Sequence, residues 1–226
     1  MNIIKKTISI LKNEGIKSFL LRSIGYFLRK LYKIYARIMD FRIGKVSVDK
    51  KKQSRYKDIG AYATESTNYI WLKKLFSSYP LKPDDVFIDV GCGEGRVLTY
   101  LYLKKFRNKM TGIELDEEIA QIAKQRTKKC DNIHICQGNV LEKGEVFKDA
   151  TAVYLFNPFN AEILSSFIEM IEENVDHRLT LYYANDIHRK VLDKREKWYI
   201  IRRNIIKNMI TPKRAYSIYL YWPDKE

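Results

Sequence analysis

A glycine-rich segment, D-V-G-C-G-E-G-R, occupies residues 89–96 and has the residue types that bind a nucleotide-like ligand. It follows a short apolar run at residues 86–90 and precedes a stretch of helical periodicity, so it joins a strand to a helix. Gly91, Gly93 and Gly95 permit a tight turn and let a ligand approach the backbone closely. The N–H groups at the start of the helix can then bind carboxylate or ribose oxygens.

The spacing of these glycines argues against two common nucleotide-binding loops. The dinucleotide fingerprint G-x-G-x-x-G requires glycine at position 96, where Arg96 stands. A Walker phosphate loop is excluded because no G-K-[ST] sequence closes the segment. Asp89 and Glu94 add negative charge, which repels a pyrophosphate but suits the amino group of a zwitterionic ligand.

Polar residues also follow the next two predicted strands. Glu114 ends one strand in T-G-I-E-L-D, about twenty residues beyond the glycines, where a carboxylate accepts hydrogen bonds from ribose hydroxyls. Asn139 lies in Q-G-N-V, residues 137–140, and can both donate to and accept from an adenine edge. A plain turn explains Q-G-N-V almost equally well.

A fourth polar segment, F-N-P-F, occupies residues 156–159 after another predicted strand. Asn157 is expected to point into the cleft, Pro158 to fix the turn, and Phe159 to exclude water. An N-P pair also marks turns that have no other function.

Residues 61–66, A-Y-A-T-E-S, precede the first helix of this region. Thr64 or Ser66 can cap that helix. Alternatively, these residues and Tyr62 cover one end of the ligand.

Alternating strand and helix patterns predict an α/β protein with a doubly wound, mostly parallel sheet. Strands are predicted at residues 86–90, 110–114, 133–136, 152–156 and 179–183. Helices are predicted at residues 68–79, 116–129, 161–174 and 187–195, and one more helix begins between residues 93 and 96 and ends at about 104. An antiparallel pair of strands is predicted at residues 198–206 and 215–222. Such sheets bind ligands at the carboxyl ends of their strands, where all the motifs above fall.

The N-terminal segment holds most of the positive charge. Residues 1–57 contain 16 lysines and arginines against three acidic residues, which leaves +2 of the net +15 for residues 58–226. Apolar residues recur at helical spacing from 16 to 38, with Arg22, Arg29, Lys30, Lys33 and Arg37 on the other side. Three interpretations stay open. The stripe packs on the body, it lies on an anionic membrane surface, or the charges bind nucleic-acid phosphates, which the many aliphatic residues make unlikely.

Cysteine and histidine usage disfavours a disulfide scaffold or a metal site. Cys92, Cys130 and Cys136 form no C-x-x-C pair, and the three histidines are scattered along the chain. No apolar run is long enough to span a bilayer, and no secretory signal is recognisable. The expected location is the cytoplasm.

The segments V-F-I-D-V-G-C-G-E-G-R-V-L, T-G-I-E-L-D, Q-G-N and F-N-P-F, in this order and spacing, resemble the class I S-adenosylmethionine-dependent methyltransferases. The resemblance covers about residues 60–185. Within that superfamily, the chain resembles a bacterial set found in surface-polysaccharide gene clusters and also the lysine methyltransferases with a DOT1-like core. It implies a Rossmann-like sheet of seven strands with an antiparallel last strand, preceded by the basic helical extension 1–57, and S-adenosylmethionine as the cofactor.

The resemblance also implies a set of binding residues. Asp89 and the glycines would surround the amino-acid end of the cofactor, Glu114 the ribose, and Asn139 the adenine. The full predicted set is Tyr62, Thr64, Asp89, Gly91, Cys92, Gly93, Gly95, Arg96, Glu114, Leu115, Asn139, Val140 and Asn157. Many relatives have aspartate where this chain has Asn139. The N-P-F turn lacks the second proline of amino-methylating DNA enzymes, which disfavours base methylation.

The expected reaction is in-line methyl transfer to an oxygen or nitrogen, driven mainly by positioning in a dry cleft. Asn157 and His188 are the predicted catalytic residues, and Tyr183, Asn185 and Asp186 are further candidates at the cleft mouth. A sugar hydroxyl needs a general base, and histidine is the side chain that most often takes this role, so His188 is a candidate. A bacterial surface glycan or its lipid-linked precursor is the first choice of acceptor. Protein lysine methylation is an alternative, and so is a non-catalytic protein that binds membrane or nucleic acid and retains a vestigial cofactor fold.

Overall fold

The structure, a computed structural model, describes residues 3–42 and 65–224. Twelve helices and strands follow one another in these residues: α1 (Ile3–Arg42), α2 (Tyr69–Ser78), β1 (Phe87–Val90), α3 (Arg96–Leu103), β2 (Met110–Glu114), α4 (Glu117–Thr127), β3 (Ile133–Gln137), β4 (Ala152–Phe156), α5 (Ala161–Asn174), β5 (Leu179–Ala184), β6 (Trp198–Ile206) and β7 (Arg214–Tyr221). The positions Tyr62 and Thr64, both in the predicted cofactor set, lie outside the described residues.

The strands form one seven-stranded sheet in the order β3-β2-β1-β4-β5-β7-β6. Strands β1 to β5 are parallel, β7 is antiparallel to β5, and β6 is antiparallel to β7. The predicted fold class, including the antiparallel pair at the C-terminus, is therefore confirmed. The inner strands are buried on both faces, because successive residues of β1 enter two separate cores: Phe87 one core, Ile88 and Val90 the other.

Two local predictions are wrong. The helix α2 is capped by Asn68, whose side-chain oxygen accepts from the Ile70 N–H at 2.8 Å, and not by Ser66. The helix expected at residues 187–195 is a single 3₁₀ turn at Arg189–Val191. That segment is fixed by long-range contacts instead, because Asp193 accepts hydrogen bonds from side chains of β6 and β7.

Helix α1 packs on the body through a narrow face of small and polar residues. Gly25 and Ala36 are buried, and Tyr32 accepts a hydrogen bond from the Tyr69 N–H at 2.9 Å. The predicted apolar stripe instead points largely outward, with Phe27 and Ile34 among its exposed members. The interpretation that the stripe packs on the body is therefore wrong, since the small residues allow the closest approach and turn the large ones away.

Asp40 is the polar anchor of α1 and is fully buried. Its carboxylate accepts from the Tyr69 hydroxyl at 2.6 Å, from Arg96 at 2.7 and 3.1 Å, and from Arg126 at 3.1 Å. Burial opposes ionisation, but the hydrogen bonds and positive charge of Arg96, together with Tyr69 and Arg126, outweigh it and hold the Asp40 pKa below its ordinary value. One carboxylate thus joins α1 to α2, α3 and α4.

Replacing Asp40 with alanine removes the carboxylate that two buried guanidinium groups share. We expect the free energy of unfolding to fall by about 3–5 kcal/mol at neutral pH, as measured by urea titration. Because the folded-state pKa of Asp40 is depressed, its contribution is present above the unfolded-state pKa and is lost as the pH falls. The difference between wild type and Asp40→Ala should therefore shrink in acid. The matched control is Glu169→Ala on the surface of α5, and equal effects of the two changes would contradict the assignment.

Candidate active site

A cavity of about 420 Å³ opens at the carboxyl ends of β1, β2 and β4. Strand β1 pairs with β2 on one side and with β4 on the other, and the chain leaves these strands toward different faces of the sheet. This is the switch point at which open α/β sheets bind ligands. The glycine loop, the end of β2, the turn at Asn139, the F-N-P-F turn and residues 65–67 line the cavity.

The glycine loop forms the floor of the cavity, and its glycines have positive φ angles. A Cβ at Gly91 would lie 2.9 Å from the Cβ of Pro158, so this position needs glycine for space as well as for conformation. The N–H groups of Gly91 and Cys92 donate to the Ile113 carbonyl at 2.9 and 3.0 Å. The loop is therefore held against β2 and against the F-N-P-F turn.

Glu114 fastens the loop from the end of β2. Its carboxylate accepts from the Gly93 N–H at 2.8 Å and from the Asp116 N–H at 3.0 Å. Burial raises the Glu114 pKa, although the donated backbone hydrogen bonds oppose the shift. A carboxylate has about four acceptor sites, so Glu114 can hold the loop and still accept from a ligand.

Asp89 is the carboxylate at the bottom of the cavity. It is buried, and its Oδ2 atom has no hydrogen-bond partner among the described residues. Burial, and next the negative charge of Glu114, raise the Asp89 pKa well above its ordinary value. A buried acceptor without a partner is costly in a folded protein, and a cationic donor placed in the cavity would satisfy it.

Other members of the predicted set line the cavity in ways that the sequence did not show. The Cys92 thiol is buried and turns toward Gly112, where a Cβ would lie 2.7 Å from its Sγ. Leu115 and Val140 line the walls. Gly95 is not among the lining residues and faces Ala123 and Thr127 behind the loop.

Arg96 and Asn139 use their side chains within the protein. The Arg96 guanidinium binds Asp40 and lies 5.0 Å from the centre of the Tyr69 ring, so it serves α1. The side-chain oxygen of Asn139 accepts from the Leu141 N–H at 3.2 Å and caps a 3₁₀ turn. Its amide nitrogen is then the side-chain group that can donate to a ligand.

Asn157 is held rigidly at the cavity wall. It has a φ of 43°, which asparagine tolerates better than most residues. Its side-chain oxygen accepts from the Tyr183 hydroxyl at 2.8 Å, and that hydroxyl accepts from the His188 N–H at 3.3 Å. His188 is not one of the residues that line the cavity, and its backbone is what connects it to Asn157.

Several lining residues were missed by sequence reasoning. Thr67 and Tyr154 share a buried hydrogen bond of 2.7 Å beside the glycine loop. At the rim, Arg214 donates to both carboxylate oxygens of Glu65 at 2.8 and 3.0 Å and lies over the ring of Phe156. The alternation of β4 indicates that Tyr154 shares a face with Phe156, but no local pattern pairs residues 65 and 214.

Comparisons with known proteins agree with this geometry. A family model described as "Methyltransferase domain" matches residues 81–198, just over half of the chain. No curated protein matches the sequence. The chain therefore belongs to this methyltransferase-domain family, within the class I S-adenosylmethionine-dependent methyltransferases.

Solved structures have the same fold at low sequence identity. A methyltransferase from Pyrococcus furiosus has a TM-score of 0.56 and 15% identity, over 85% of this chain and 97% of that one. An RNA methyltransferase from Salinibacter ruber, in complex with S-adenosyl-L-homocysteine, has a TM-score of 0.53 and 16% identity, over 71% and 95%. A tRNA methyltransferase from B. subtilis has a TM-score of 0.51 and 20% identity, over 67% and 64%. The cofactor of this fold, S-adenosylmethionine, carries an amino group that fits the buried acceptor at Asp89.

The change Asp89→Asn keeps the shape of the side chain and removes its charge. We expect affinity for S-adenosylmethionine, measured by calorimetry, to fall at least tenfold. Stability of the ligand-free protein should rise at neutral pH, because the amide removes the cost of ionising a buried carboxyl group beside Glu114. Since the folded-state pKa of Asp89 is raised, the wild type loses stability as the pH rises, and the gain should be larger at neutral than at acid pH.

The matched control for this prediction is Asp131→Asn, which alters an exposed aspartate after α4. It should leave both cofactor affinity and stability nearly unchanged. Unaltered affinity in Asp89→Asn would contradict the role of Asp89.

Proposed function

We propose that this methyltransferase transfers a methyl group from S-adenosylmethionine to an oxygen or nitrogen of a bacterial surface glycan or its precursor. The observation that carries the acceptor class is the charge balance around the cavity. Arg96 lines the cavity and is engaged by Asp40. Arg214 lies beside the lining residues Glu65 and Phe156 and is engaged by Glu65. Neutral hydroxyl or amino groups suit such a mouth better than a polyanion does, because phosphate binding relies on Lys and Arg that can neutralise it.

The geometry of the loops supports a proposed set of cofactor contacts. Asp89 accepts from the amino group of the ligand, and the glycine loop approaches its amino-acid end. Glu114 accepts from the ribose hydroxyls while it holds the Gly93 N–H, and Asn139 donates to the adenine edge. When bound, S-adenosylmethionine supplies an electrophilic methyl group on a sulfonium centre.

The protein's own residues orient the reacting groups and exclude water from the cleft. Asn157 is fixed by its backbone conformation and by Tyr183, so its amide group is oriented before the acceptor arrives. Phe156 and Phe159 present aromatic carbon at the cavity wall, which excludes water and offers a flat surface to a sugar ring. Positioning of this kind accounts for a large share of the rate in a displacement between two bound groups. His188 acts through Tyr183 and is a positioning residue in this proposal.

Protein lysine methylation is the second candidate. It is favoured by the carboxylates Glu114 and Asp116, which line the same cavity and would attract an amino group. The two candidates differ in the macromolecule that receives the methyl group.

The acceptor can be identified with the purified full-length chain and methyl-labelled S-adenosylmethionine. Lipid-linked glycan, protein and RNA fractions from a strain lacking the gene serve as acceptors, and Gly93→Arg is the inactive control. We expect label in the glycan fraction with the wild type and none with Gly93→Arg. Label in protein would support the lysine alternative. Label in RNA, the substrate class named for two of the similar structures, would overturn both.

Residue 157 tests the positioning role separately from cofactor binding. Asn157→Gly keeps the positive φ without strain and removes the amide, so we expect kcat to fall about a hundredfold with little change in cofactor affinity. Tyr183→Phe, which removes the hydroxyl that holds Asn157, should reduce kcat less. His188→Ala keeps the backbone N–H and should remain active. A severe loss of kcat in His188→Ala with an altered pH profile would instead identify His188 as the general base.

A lipid-linked precursor would place the reaction at the inner face of the membrane. No helix among the described residues is long and apolar enough to cross a membrane. The location that we propose is peripheral, at that face.

A further inference from the structure

Helix α1 presents an apolar surface that nothing in the described chain covers. We call it the outer face: Ile16, Leu20, Ile24, Phe27, Leu31, Ile34 and Ile38, whose exposed fractions are 46–70%. At 3.6 residues per turn these side chains form one continuous stripe along the helix. An amphipathic helix of a soluble domain normally turns such a stripe to the core. Here the core side is made instead by residues such as Gly25, Ala36 and Asp40.

Cations border the outer face on both sides. By helical spacing, Lys17 and Arg42 lie along one edge, and Lys30 and Arg37 along the other. Residues 16–42 contain seven lysines and arginines, and their one acidic residue, Asp40, is buried against Arg96 and Arg126. The solvent-facing charge of this segment is thus entirely positive.

An exposed apolar stripe with positively charged borders fits one class of partner. A second copy of the helix would bring two positive borders together, and nucleic acid would bind the cations but leave the aliphatic stripe in water. An anionic bilayer satisfies both features, because the apolar stripe enters the acyl boundary while long basic side chains reach the headgroups. We propose that the outer face of α1 lies on the surface of an anionic membrane. The helix formed by residues 16–42 is about 40 Å long, since each residue adds about 1.5 Å. Amphipathic helices of this kind lie in the plane of the membrane.

The contacts of α1 place the cavity close to this surface. Gly25 and Arg29 meet Met209 in the turn between β6 and β7, and Arg29 donates to its carbonyl at 2.9 Å. About three turns beyond Arg29, Asp40 binds Arg96, which lines the cavity. That turn and the glycine loop both lie at the carboxyl edge of the parallel strands. Docking of α1 on a membrane would therefore hold the cleft beside a lipid-linked acceptor. This benefit rests on the proposed function, whereas lipid binding by α1 does not depend on it.

The test is flotation of the full chain with vesicles of phosphatidylcholine alone and of phosphatidylcholine with phosphatidylglycerol. We expect flotation with the anionic vesicles only, and release as salt screens the charges. Each exposed cation removed, as in Lys30→Gln, should weaken binding roughly fivefold. The double change Phe27→Asp with Ile34→Asp should abolish flotation. The control is Ile187→Asp with Ile200→Asp, which places the same charges at exposed isoleucines outside α1.

Three results would overturn the proposal. Equal flotation of both double variants, or no preference for anionic vesicles, would exclude the outer face as the lipid surface. If sedimentation shows a dimer, and only the double change Phe27→Asp with Ile34→Asp dissociates it, the outer face binds a second copy of the chain. Calorimetry with S-adenosylmethionine confirms that each variant is folded. Methylation of detergent-dispersed acceptor reports on the proposed function separately, because it does not require membrane binding.

Discussion

The buried carboxylate of Asp40 is the interaction on which the helical layer depends. A carboxylate is stable away from water only when its donors are in place, and here they come from Tyr69, Arg96 and Arg126 on three other helices. Arg96 is also the first residue of α3, immediately after the glycine loop. The distal end of that loop is therefore fixed by a residue of the N-terminal helix, which lies 56 positions earlier in the chain.

The opposite end of the loop is fixed from within the sheet. Glu114 accepts from the Gly93 N–H, and the Ile113 carbonyl accepts from two further amides, so hydrogen bonds within the protein hold the loop in its shape. Within this rigid frame Asp89 keeps a carboxylate oxygen that the described residues do not satisfy. The fold thus accepts a local cost at a residue that lines the cavity, a common arrangement at functional sites.

The sequence predicted the features that depend on local patterns. Buried parallel strands appear as short apolar runs, and polar residues just after them must meet at one edge of the sheet, so Asp89, Glu114 and Asn157 were placed correctly around one cavity. Contacts between distant residues were not predictable in this way. Periodicity identified the stripe on α1 but not its direction, because nothing local shows that Asp40 pairs with Arg96. The same reason explains why His188 was expected in the cavity, although it is not a lining residue and its N–H donates to the Tyr183 hydroxyl.

The outermost strand, β6, has a consequence for behaviour at high concentration. Among the described residues, one of its edges has no partner strand, and Ile200, Ile201 and Ile205 of this strand are exposed. Such an edge can recruit a strand from another molecule and start aggregation. A register shift between Ile200 and Arg202 interrupts the regular hydrogen-bond ladder, and Arg202 and Arg203 add charge at that point. A bulge and positive charges on an edge strand both oppose edge-to-edge pairing with a neighbouring copy.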